Sequence, residues 1–86
     1  MCAFFVGIDV GKWNHQAAFL DVFGKEIARS LAFQNTSEGF QKLSESLQSF
    51  DRGQTVIGLE ATGHYWLALF SFLIEDGWIV KIIDPM

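Results

Sequence analysis

Eighty-six residues, half of them apolar and including nine Phe, three Trp and one Tyr, favour one small, well-buried domain over disorder. The net charge is −4, and Lys12, Lys25, Arg29, Lys42, Arg52 and Lys81 are scattered singly. This speaks against a complete, free-standing nucleic-acid binder, whose affinity rests on a basic patch.

A lone cysteine, Cys2, excludes an internal disulfide and a cysteine metal cluster, and fits a reducing, cytoplasmic setting. Tyr65 to Ile74, the longest apolar run, is far short of the ~20 residues that span a bilayer, so no membrane partner is expected. The start, Met1-Cys2-Ala3-Phe4-Phe5, lacks the basic region and cleavage site of a signal peptide.

In chain order, Phe4 to Val10 reads as a buried strand and Gly11 to Asn14 as a turn. His15 to Val22 reads as a second strand, and Phe23-Gly24-Lys25 as a hairpin turn in which Gly24 is free to take positive φ. Lys25 to Gln34 makes the third strand. A helix opens at Asn35 or Thr36, with Glu38 spaced as a capping-box partner of Asn35. Phe40, Leu43, Leu47 and Phe50 share one face of it. Asp51 to Gln54 is a polar loop, and Thr55 to Glu60 a short apolar strand ending in an acid. Gly63 to Asp76 is predicted as a second helix, stopped by Gly77, and Trp78 to Ile83 as a last strand.

The order βββαβαβ joins a hairpin meander to strands linked by helical crossovers, which impose parallel pairing. It matches an α/β ribonuclease H-like fold, a mixed sheet of order 3-2-1-4-5. That architecture usually continues with a helix on the other sheet face, and the chain stops at Met86 where the helix would begin. The second helix is apolar nearly all round, as if cover were expected on more than one side. The sequence therefore reads as one partial domain, 1–86, truncated before the last helix.

Two acids carry chemistry. Asp9 sits among apolar strand residues, where an ionised carboxylate is expensive unless paired or metal-bound. Its strand-face neighbours Phe5, Gly7 and Gly11 are partly small and leave space around it. Glu60 repeats the pattern with Val56 and Gly58. Each acid lies five residues past its strand start, so on adjacent parallel strands the two fall side by side. Strands lie ~4.8 Å apart, and Mg²⁺ holds oxygens at ~2.0–2.1 Å, so both side chains can reach one ion. The residues alone leave the bland reading open: a solvated strand-end Glu60, and an Asp9 bonded to backbone or to His15.

Val6-Gly7-Ile8-Asp9-Val10-Gly11-Lys12, then His15, Glu60-Ala61-Thr62-Gly63-His64-Tyr65 and Ile83-Asp84-Pro85 resemble the DEDD-type insertion-sequence transposases. The resemblance covers essentially the whole chain but only the front of a family protein. It implies a RuvC-like nuclease domain in which Asp9 and Glu60 are the first two acids of the set. It also implies a catalytic, metal-binding role for both, with Asp9 bridging two Mg²⁺ or Mn²⁺ ions and Glu60 holding one. Two further aspartates and a C-terminal domain with a catalytic serine would lie beyond Met86. The family's partners are DNA and a structured guide RNA in the full-length protein. The implied activity is metal-dependent DNA strand cleavage and transfer, to which this fragment alone would contribute only weak metal binding and no cutting. Gly11 stands where the family often has serine. Asp84 stands where asparagine is common, and is not a third acid.

Other residues invite both a functional and a plain reading. Lys12 and Thr62 are candidate phosphate contacts, against a solvated lysine and an ordinary helix cap. His15 and His64 lack a paired ligand spacing and read as structural or surface residues. Trp66 and Trp78 read as core or interface, whereas Trp13, in a turn, is open to a base-stacking role. Cys2 reads as an inert thiol. Two other functions compete. One is an ATP-binding lobe of the actin, Hsp70 and sugar-kinase class, which Trp13 in the first turn disfavours. The other is a non-catalytic dimerisation module, built on apolar surface that would make a homo-oligomer.

Overall fold

The computed structural model describes residues 3–61 and 63–83. Alternation of side chains sets the sheet. In β1 (Phe4–Asp9) Val6 and Ile8 are buried, while Phe5, Gly7 and Asp9 face the other way. β2 (Asn14–Asp21) buries His15, Ala17 and Phe19 on the same side. β4 (Thr55–Glu60) buries Thr55, Ile57 and Leu59, which leaves Val56, Gly58 and Glu60 on the face of Asp9. β3 (Glu26–Gln34) and β5 (Ile79–Ile83) close the two edges.

The sheet order is β3-β2-β1-β4-β5, as the element order predicts. β1–β2 and β2–β3 are antiparallel, with irregular register between Ala17, Phe19 and Leu20 in the second pair. β1–β4 and β4–β5 are parallel. Gly24, at φ 79°, makes the turn between β2 and β3, and the Asp21 carboxylate accepts from the Phe23 and Lys25 amides. Among the described residues the helices α1 (Ser37–Leu47) and α2 (Leu67–Glu75) supply Leu43, Leu47, Leu69 and Leu73 to a core shared with Val6, Ile8, Phe19, Ile57 and Leu59. The acid-bearing face lies opposite.

The structure selects one of the two expected starts for the first helix and moves the start of the second. α1 is capped by Thr36, whose hydroxyl accepts from the Gly39 amide at 3.1 Å. Asn35 is not the cap and forms no capping box with Glu38. Its backbone N–H donates to the Trp13 carbonyl and its side-chain amide to the Lys12 carbonyl. α2 starts at Leu67 rather than Gly63, because Gly63 takes φ 66°, a left-handed conformation that no right-handed helix accommodates. Residues 63–66 form turns instead, held by the Trp66 indole N–H donating to the Gly63 carbonyl at 3.0 Å. The loop at 51–54 winds into a 3₁₀ turn, Arg52–Gln54, capped by Asp51.

No helix among the described residues is long and apolar enough to cross a membrane.

Candidate metal centre

Register places the acids. Phe4 pairs with Thr55 at the start of the parallel β1–β4 ladder, and five residues later Asp9 pairs with Glu60. Because both counts are odd steps from core residues Ile8 and Leu59, both carboxylates leave the sheet on the same, helix-free face. Each is the last residue of its strand and each is exposed. The desolvation argument for a metal at Asp9 therefore does not hold, since the strand ends there and water reaches the carboxylate. What remains is proximity: two like charges at one register position of neighbouring strands.

The two acids line an open depression of about 450 Å³ together with Phe5, Gly7, Ile8, Gln16, Ala18, Ser30, Gly58 and Ile83. No cationic side chain is among its lining residues. The glycines do not leave free space, as the sequence suggests; they make room for an aromatic floor. A β-carbon at Gly58 would come within 2.7 Å of Phe5 Cζ and 2.8 Å of Ile83 Cδ1. One at Gly7 would come within 3.2 Å of Phe5 Cε2. The Phe5 ring thus spans β1 and β4 beneath the acids.

Neither carboxylate takes a hydrogen bond or an ion pair from a described residue; the one described salt bridge is Arg52–Asp76. The donor set suits a hard cation, which takes carboxylate oxygens and completes its shell with water or phosphate oxygens. Two exposed, unpaired carboxylates on adjacent strands fit such an ion. No group of three or more His, Cys, Asp or Glu that could hold a metal occurs among the described residues.

The remaining candidates separate. His15 lies on the core side, so it does not pair with Asp9. Its Nδ1 accepts from the Gly11 amide at 3.2 Å, and its ring packs against Phe33 and Phe40. His64 is exposed in the turn before α2. Lys12 is exposed with its ammonium 5.0 Å from the Trp13 ring centroid. Trp78 is buried and Trp66 half-buried, as expected, whereas Trp13 is exposed. Cys2, Thr62 and Asp84 lie outside the described residues.

Gln16 and Ser30, joined by a 3.4 Å side-chain hydrogen bond, were not singled out by sequence reasoning. Gln16 is the antiparallel partner of Asp9. Counting the hairpin register back from the turn would have put it beside the acid. Gly11 gives its amide to His15, and its own β-carbon position is closed by the Asn14 carbonyl at 2.5 Å. That amide is therefore unavailable to a nucleotide phosphate, which weighs against the ATP-binding reading.

Comparison with known proteins agrees with this fold. In fold the chain is similar to Thermus thermophilus RuvC, with a TM-score of 0.66 at 16% identity, covering 96% of this chain and 64% of that one. It is 29% identical over 84 residues to the pilin gene-inverting proteins of Moraxella bovis and Moraxella lacunata. Each match takes in 95% of this chain and 25% of the relative, so the chain spans about a quarter of their length. The family model for DEDD transposases of the IS110 type, described as Transposase, matches residues 6–86. With a ribonuclease H-like α/β fold and a family match over nearly its whole length, the chain belongs to the DEDD transposases.

Proposed function

We propose that residues 1–86 are part of the RuvC-like nuclease domain of a DNA transposase, and that Asp9 and Glu60 are metal-holding catalytic residues in it. One observation carries the reading: Asp9 and Glu60 are register partners on one sheet face, lining a depression that no cationic side chain among the described residues lines. A phosphodiester cannot approach two carboxylates unaided, and a divalent ion removes that conflict. Bound there, Mg²⁺ or Mn²⁺ would supply charge neutralisation and Lewis acidity at the phosphorus centre. Asp9 and Glu60 would hold it from adjacent strands, while Phe5 and Ile83 keep the floor apolar and fix the strands beneath them.

The full-length protein would cut and rejoin DNA in the bacterial cytoplasm, as a homo-oligomer and with a guide RNA. The rest of the acid set and the strand-transfer machinery belong to sequence outside these residues. Lys12 is placed to lend charge near the phosphate, and Thr62 is proposed as a second phosphate contact from its position two residues after Glu60 alone.

The test is Mn²⁺ binding to this chain, followed by electron paramagnetic resonance. Weak binding is expected, falling roughly tenfold or more in Asp9→Asn and in Glu60→Gln. Binding that is indifferent to both substitutions would sink the metal centre. The chain alone should not cleave branched or duplex DNA. Metal-dependent cleavage abolished by Asp9→Asn would show instead that two acids suffice.

A further inference from the structure

The β1–β2 turn leaves the sheet at the acid end and is fastened by three hydrogen bonds to two residues, His15 and Asn35. The Gly11 amide donates to His15 Nδ1, the Asn35 amide to the Trp13 carbonyl at 2.8 Å, and Asn35 Nδ2 to the Lys12 carbonyl at 3.4 Å. From this held backbone Trp13 projects with 71% of its surface exposed. The Lys12 ammonium stands over the indole, 5.0 Å from the ring centroid. Trp66 and Trp78 donate indole hydrogen bonds and pack against a neighbouring ring or guanidinium; among the described residues no hydrogen bond to the Trp13 ring nitrogen occurs, and the ring's described contact is Lys12. Phe23 is more exposed still, at 89%, but it sits at the far end of the hairpin, away from the acids.

A rigidly mounted, wet indole with a cation beside it is the chemistry that binds an unpaired base and its phosphate. We propose that Trp13 is a stacking platform for an unpaired base of single-stranded DNA, positioned four residues beyond Asp9 in the turn that leaves the acid-bearing end of β1. Lys12 supplies the accompanying positive charge. The assignment of that DNA to the reacting strand rests on the nuclease reading of Asp9 and Glu60; the stacking itself does not require a metal. A protein partner for Trp13 is less favoured, because the cation beside the ring suits a phosphate and the neighbouring surface is polar: Lys12 and Asn14 are both exposed.

The experiment uses this chain in EDTA at about 0.1 M ionic strength, where the long-range repulsion between its net charge of −4 and DNA is largely screened while a direct Lys12 contact is screened less. A labelled oligo-dT of about eight nucleotides is followed by anisotropy and by quenching of tryptophan emission. Wild type should bind weakly with quenching. Trp13→Phe should keep the affinity within about threefold and lose most of the quench, because phenylalanine stacks but does not report. Trp13→Ala should lose affinity roughly 5- to 100-fold, the loss of one stacked base. A duplex of the same length should not quench. Unchanged affinity in Trp13→Ala, equal quenching by the duplex, or tighter binding of oligo-rU than oligo-dT would overturn the proposal. Mn²⁺ binding is measured on separate, EDTA-free aliquots of the same proteins. Lost metal binding with the quench retained would sink the nuclease reading alone, and the converse would sink this one alone.

Discussion

Gly39 shows how a single position can reverse an expectation drawn from propensity. It is the third residue of α1, where alanine ordinarily outperforms glycine by about 1 kcal/mol. Here a β-carbon would run into the backbone carbonyl of Gln34, at the end of β3. Backbone cannot swing aside as a side-chain tip can, so the last residue of β3 and the first turn of α1 would have to separate. Gly39→Ala should therefore destabilise the chain by about 1–3 kcal/mol, the usual cost of overpacking, read from the urea midpoint. An unchanged or raised midpoint would show that the junction yields freely.

Between elements, the end of α2 is tied to the 3₁₀ turn before β4. Arg52 donates through Nε to the Asp76 carbonyl at 2.6 Å and through Nη2 to the Asp76 carboxylate at 3.1 Å. The same carboxylate accepts from the indole N–H of Trp78 at 3.1 Å, and the guanidinium lies 4.6 Å from that ring's centroid. Arg52 is about half exposed, so its removal should cost about 1 kcal/mol. Asp76→Ala also orphans the N–H of a buried tryptophan and should cost more, about 1–3 kcal/mol. Denaturation of the two variants should rank them in that order; the reverse order would mean the indole finds another acceptor.

None of this clamp was legible beforehand, because it joins residues 24 positions apart through side-chain geometry. The strands, by contrast, could be read to within a residue or two, since period-two alternation is local. The Asp9–Glu60 pairing could be read too, as equal counts from two strand starts. The late start of α2 could not: residues 64 to 66 look helical by hydropathy, and only the left-handed backbone of Gly63 interrupts them. The aromatic floor was missed for a related reason. Small residues in a sequence mark a gap but do not say what fills it.

The whole chain has a Cα radius of gyration of 11.8 Å, close to the ~12 Å of a packed unit of this length. Its surface is less settled. Ile79, Ile82 and Ile83 on the β5 edge, and Leu67 and Ile74 on α2, are all exposed. An unpaired strand edge with apolar side chains invites a second strand, and Lys81 is the one charge within β5 that opposes it. The isolated chain should therefore self-associate, its light-scattering mass rising with concentration, and Ile79→Lys should suppress the rise. A constant monomer mass at high concentration would count against the homo-oligomer reading.

One consequence of the β1–β4 ladder reaches beyond chemistry. Residues of β4 serve the core and the acid face alternately, so Leu59 acts as a gauge for Glu60. Inserting one residue ahead of them would turn the acid inward among leucines and thrust the core into water. Misalignment of the carboxylates would thus surface as a molecule that fails to fold, rather than as a well-folded one that has lost its cation.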